Sequence, residues 1–329
     1  MTIDQNINNG LPNIGLNKLI LLSVSSIVLC LSFVLTLLVP YPLTLMFLIF
    51  GRAKSLAVIA VGIIASYYLG NYFYSGSVAA LFYGASAFSA YLIFEFVSRG
   101  LNPVRGLIGI GFLFVGILTL LISLYGNSIH WQFRKDIASQ VKVVSDQIVK
   151  NKKEYFKNGN TDSENSEILE IASNPDLLAG EILKNLPSRL FMGIFFWLWI
   201  NFILVLRSGR IIFKLKKQSF NENAIFRFKV PEFFIWPFIV ILFFTIFGDK
   251  VVEGTEWIEV VGRSLMECFG VFYFFQGFGI YVSFLDFVQI TGIFRSILIV
   301  FTLFTGSWFI AGIGLFDLWI NFRKYFVKK

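Results

Sequence analysis

Hydrophobic positions in this chain come in long unbroken blocks rather than in the spaced pattern of a soluble core. Lys18–Val39, Leu56–Tyr74, Ser77–Ser98, Gly106–Gly126, Leu190–Leu206, Val230–Gly248 and Ser264–Phe287 hold few charges, and Gly292–Phe326 closes the series. About 20 such residues, as a helix, cross the ~30 Å hydrocarbon core of a bilayer. The pattern predicts an all-α, polytopic α-helical membrane protein with about 8–9 membrane segments and one helical extramembrane insert.

One stretch breaks the rhythm. Tyr41–Tyr74 opens with a short apolar run, Pro42–Phe50, that stops at Gly51. Nine residues reach only about 13 Å as a helix, so this piece is short or re-entrant unless neighbouring residues extend it. A basic turn with Arg52 and Lys54 follows, then a full span whose far end carries Tyr67, Tyr68, Tyr72 and Tyr74, as an interfacial aromatic belt does. Gly62, Ser66 and Gly70 share one face of that span, and Gly76, Ala80 and Gly84 repeat the spacing on the next. Small residues at this interval let helix backbones approach closely, so both sets are expected to pack helices.

The polar positions divide the chain. Residues 1–17 form a polar tail and 18–126 an N-terminal membrane bundle. Residues 127–187 are a helical insert with eight Lys/Arg against nine Asp/Glu. Its near-zero charge permits translocation, so it is placed outside the cell. Ile129, Phe133, Ile137, Val141, Val144 and Ile148 give it one apolar face, NGNTDSEN at 158–165 a loop, and Asn174-Pro175 a helix start. Residues 188–321 form a C-terminal bundle, with a kink expected at Pro237, and 322–329 a basic cytosolic tail. The strongest inside signal is Arg207–Lys229, with seven Lys/Arg against Glu222 alone. If Gly292–Leu318 crossed once, the basic tail would end outside, so a broken hairpin turning near Thr305-Gly306 is expected.

Composition agrees: 56% of the 329 residues are hydrophobic, 15% are charged, and mean hydropathy is +0.73. The net charge of +8 lies in short loops, where membrane orientation accounts for it, and marks no nucleic-acid partner. Cys30 and Cys268 both lie in apolar runs and imply no disulfide framework.

Catalytic sets are scarce, and no enzyme activity, metal site or cofactor is expected. His130, the single histidine, falls in the polar insert, which rules out a histidine-based triad in the membrane or a two-histidine metal site. Gly109/Gly111 and Gly277/Gly279 lack the third glycine of a phosphate loop and read as packing glycines. Polar groups inside spans carry more weight, because each is costly in hydrocarbon unless paired or wetted. Gln276, Asn201 and Glu95 are the ligand-binding candidates. Each also has a plainer reading: helix-to-helix bonding for the two amides, and an i, i+4 pair with Arg99 for Glu95. Asp286 and Asp317 fall at span ends, Asp317 within reach of Arg323 or Lys324.

The stretch YPLTLMFLIFGRAKSLAVIAVGIIASYYLG resembles the second and third spans of S components of energy-coupling-factor vitamin transporters. The late FFQGFGIYVSF, the terminal GIGLFDLWINFRK and the insert between two membrane halves resemble the YybS-like family, bacterial multi-pass membrane proteins with a domain of unknown function. The S-component likeness implies small-molecule binding or transport. The chain departs from it in the first span, which has no alanine for an A-x-x-x-A docking pattern; Ser26 and Cys30 are the nearest small pair. The YybS-like likeness implies no established site residues. Two functions follow: small-molecule binding or transport, and a non-transporting scaffold or assembly partner in the cell envelope. The expected surroundings are the lipid bilayer of a bacterial inner membrane, a small-molecule ligand under the first reading and a membrane protein partner under the second.

Overall fold

The computed structural model describes residues 16–32, 35–156, 175–215, 225–251 and 256–326. The expectations for residues 1–15, the 158–165 loop, Asn174 and the last three residues lie outside them. Every element among the described residues is helical: α1 (Leu16–Leu31), α2 (Pro40–Phe50), α3 (Arg52–Phe73), α4 (Gly76–Ser98), α5 (Pro103–Phe156), α6 (Pro175–Leu215), α7 (Ile235–Val251), α8 (Glu256–Phe287), α9 (Gly292–Thr305) and α10 (Ser307–Ile320), with short 3-10 turns between. Five of them contain stretches long and apolar enough to span a membrane: Arg52–Phe73, Gly76–Ser98, Pro103–Leu124, Ala179–Ser208 and Val260–Phe287. The protein is a polytopic helical membrane protein.

The first block, expected as one span over Lys18–Val39, is interrupted. α1 ends at Leu31, and a 3-10 turn at Leu35–Leu38 leads into α2. Ser32 Oγ donates to the Leu29 carbonyl and Thr36 Oγ1 to the Ser32 carbonyl beside the break. Pro40 and Pro42 have no N–H to continue α1, but fit the first turn of α2, where that donor is not needed. The 3-10 turn supplies the extension that Pro42–Phe50 lacked, giving an apolar element over Leu35–Phe50. Pro237 likewise stands in the first turn of α7, so it starts that helix rather than kinking it. α5 and α6 run unbroken through the bounds expected for the insert, α6 carrying Pro187 in its interior.

Two compact units emerge, and neither follows chain order. The first comprises Met1–Leu113, Ile194–Val230 and Val271–Lys329; the second comprises Phe114–Gly193 and Pro231–Gly270. In the first unit α2 is a core helix: Leu43, Met46 and Phe47 are buried, and α1, α3 and α4 surround it. Gly51, at φ +80°, turns the chain from α2 into α3, a conformation glycine adopts without strain. The α3 face formed by Gly62, Ser66 and Gly70 is buried. A Cβ on Gly62 would overlap the Tyr83 hydroxyl, and one on Gly70 would press on Ala79. The α4 face that meets it is Gly76, Ala79 and Tyr83, not Gly76, Ala80 and Gly84: Ala80 is half-buried, and Gly84 has open space where a Cβ would stand.

The second unit holds the N-terminal part of α8 together with α7. Thr245 lies where a Cβ on Gly262 would stand, at 2.8 Å from its Oγ1. Ile241, Phe244, Ile258, Val261, Gly262 and Leu265 line a shallow apolar groove of about 240 Å³ there.

Candidate functional site

Gln276 sits on α8 with none of its surface exposed, and both ends of its amide are bonded within the protein. Oε1 accepts the Val230 backbone N–H at 2.7 Å, and Nε2 donates to Asp317 Oδ2 at 2.9 Å. Asp317 is itself buried on α10, and its other oxygen accepts the Phe322 N–H at 2.8 Å. Arg323 completes the network. Its Nη2 donates to the Phe228 carbonyl at 2.9 Å and lies 3.4 Å from the Gln276 carbonyl. Asp317 thus acts chiefly as an acceptor for Gln276 and a cap on the chain after α10, rather than as an interfacial acid.

Two glycines bring these groups together. A Cβ on Gly277 would overlap the Ile310 carbonyl, and one on Gly314 would overlap the Tyr273 carbonyl. α8 and α10 therefore cross backbone to backbone. Gly279 makes room in the same way for the Phe226 carbonyl. The strip Phe226–Val230, the end of a 3-10 turn running into irregular chain, meets the core at three backbone points: Gly279 packs on the Phe226 carbonyl, Arg323 bonds the Phe228 carbonyl and Gln276 bonds the Val230 N–H. Around the crossing Trp199 lies edge-on to Phe278 at 4.7 Å and stacked on Phe275 at 5.3 Å, filling the core with aromatic rings.

Asn201 is fully buried on α6. Its Nδ2 donates to the Leu37 and Trp197 carbonyls, both at 2.8 Å, which ties α6 to the turn before α2. Among the described residues its Oδ1 has no hydrogen-bond partner. Glu95 lies between two arginines: Arg52 Nη2 is 2.7 Å from one oxygen and Arg99 Nη2 2.9 Å from the other. It joins the start of α3 to the end of α4, and the Arg99 pairing is the one its spacing indicated. The three candidates do not converge on one place. Asp286, exposed at its span end, pairs with Arg295 at 2.6 Å.

The small pair on the first span is also engaged. Ser26 Oγ hydrogen-bonds Tyr83 OH at 2.9 Å, Cys30 Sγ donates to the Ala79 carbonyl at 3.6 Å, and both residues are fully buried. The face of α1 nearest to a docking pattern is packed on α4.

One polar cluster was missed from the sequence. Glu267, on α8 within the second unit, is buried and accepts a 2.7 Å hydrogen bond from Ser188, with Arg189 at 3.4 Å. An acid inside an apolar span is a readable signal and could have found it. Among the described residues no cluster of His, Cys, Asp and Glu could hold a metal ion.

Helices of spanning length, an interior closed by glycine crossings and polar groups paired across helices define a multi-pass integral membrane protein. The chain belongs to the family described as predicted membrane protein (DUF2232), which it matches over residues 18–318. No curated protein and no solved structure gives a match.

Proposed function

We propose that this protein is a non-transporting membrane scaffold or assembly partner of the bacterial cell envelope. The observation that carries this reading is the state of Gln276: wholly buried, with both ends of its amide bonded to Val230 and Asp317. The group best placed to orient a polar ligand holds helices together instead. Two further features support it. The Ser26/Cys30 face, where an energising module of the S-component kind would dock, lies against α4. Glu95 is held between Arg52 and Arg99. Within the family, the YybS-like group is the narrower assignment that the two late motifs favour. The 127–187 insert on the outer side would then offer the extramembrane contact.

The test is purification of the full chain from native membranes in mild detergent. A scaffold comes out with one protein partner in fixed ratio, and the pair re-forms from separately purified components. A lone monomer that binds a metabolite saturably would overturn the reading. Small-molecule binding in the manner of an S component is the second reading, favoured by the buried Asn201 Oδ1. It requires that Asn201→Ala abolish the stabilisation which that metabolite confers.

A further inference from the structure

We infer that α9 and α10 form a re-entrant element that enters and leaves on one side of the membrane, with the outward face of α9 immersed in the lipid of that leaflet.

The path of the chain carries this. After α8 the backbone turns through Gln289 and Gly292, both at positive φ. α9 then runs back antiparallel to α8, since Arg295 bonds Asp286 at 2.6 Å and, further along, Thr302 bonds the Tyr281 hydroxyl at 3.0 Å. Fourteen residues give about 21 Å, short of the ~30 Å core. At Gly306 the chain bends by 92° and α10 passes across α8 at the Gly277/Gly314 contact. A spanning α10 would carry the chain away from the C-terminal end of α8. Instead Asn321, in the left-handed conformation at φ 51°, turns it back. The 3-10 turn Phe322–Phe326 places Arg323 at Gly279 and the Phe326 ring 5.7 and 5.9 Å from Phe284 and Phe287. The chain has returned to the end of α8 from which it left.

The faces of α9 give the second half of the inference. Its bonding polar groups, Arg295 and Thr302, turn inward to α8. Ile293, Ile297, Val300 and Phe301 recur at helical spacing and are all more than half exposed. Apart from the exposed Ser296, the outward side is apolar and the bonded polar groups face protein, an arrangement matched to hydrocarbon. Lys324, exposed beyond α10, is a cation that favours the cytosolic side, which agrees with the returning path.

Single cysteines at Val288 and Lys324, both exposed, test the path in the full chain in sealed membranes. An impermeant maleimide applied to spheroplasts and to inside-out vesicles should label both positions from the inner side and neither from the outer. Labelling from opposite sides overturns the re-entrant path. Tyr325→Cys repeats the measurement should Lys324→Cys fail to insert. A nitroxide on Ile297→Cys tests the face: relaxation by oxygen dissolved in lipid is expected. Protection from both oxygen and an aqueous nickel chelate would mean that a protein covers α9, and would overturn the lipid assignment.

Discussion

Gly277→Ala probes the crossing on which the polar network depends. The added methyl would meet the Ile310 carbonyl and lie 2.9 Å from the Gly314 nitrogen, both main-chain atoms that cannot rotate away. Overfilling a packed site costs about 1–3 kcal/mol, and rigid neighbours put this case at the upper end, about 3 kcal/mol. Alanine regains about 1 kcal/mol over glycine in a helix interior. The net loss is about 2 kcal/mol, roughly a 30-fold fall in the folding equilibrium constant. Gly84→Ala is the internal comparison. Nothing lies within 4 Å of its new methyl, so only the propensity gain remains, and stability should hold or rise. Reversible unfolding in mixed micelles, with tryptophan fluorescence as the signal, measures both. If Gly277→Ala matches the parent, or Gly84→Ala loses as much as Gly277→Ala, the backbone-to-backbone crossing is refuted.

The other predictions concern the paired polar groups. Gln276→Leu strands the Val230 N–H and half of the Asp317 carboxylate, and should cost about 2–4 kcal/mol in the same unfolding assay. Glu95→Gln should cost under about 1 kcal/mol, because Arg52 and Arg99 remain largely exposed and solvated; a larger loss in that assay would mark the pair as a structural lock. Ser188→Ala removes the hydrogen bond to Glu267 and should lower stability by about 1–2 kcal/mol, leaving the Arg189 contact in place. Cys30, fully buried, should resist maleimide in the folded protein and react only after denaturation in SDS, as mass spectrometry of the alkylated chain would record.

Whatever depended on spacing within one helix was legible in the sequence. The Gly62/Ser66/Gly70 face could be placed because its period is the helix's own. The matching face of α4 was misphased because Tyr83, a large residue, fills the space over Gly62 that small residues were expected to fill. Nothing in the glycine and proline pattern announced the end of α1 at Leu31, well before Pro40. Gln276 stood out as a polar group in an apolar helix, but its partners Val230 and Asp317 lie 46 and 41 residues away, beyond any local pattern. The motifs FFQGFGIYVSF and GIGLFDLWINFRK were noticed separately and pack on each other through Gly277 and Gly314. The break at Thr305-Gly306 fell where the broken hairpin was expected to turn, with a bend of 92° between the two helices.

The central claim is that the polar groups of the membrane core bind helices, not a ligand. Thermal unfolding of the purified full chain against a library of water-soluble metabolites, run beside Gln276→Ala and Asn201→Ala, tests it most directly. The account predicts that no metabolite stabilises the parent and that both variants unfold earlier whatever is added. A metabolite that stabilises the parent saturably, and fails to stabilise either variant, would contradict it.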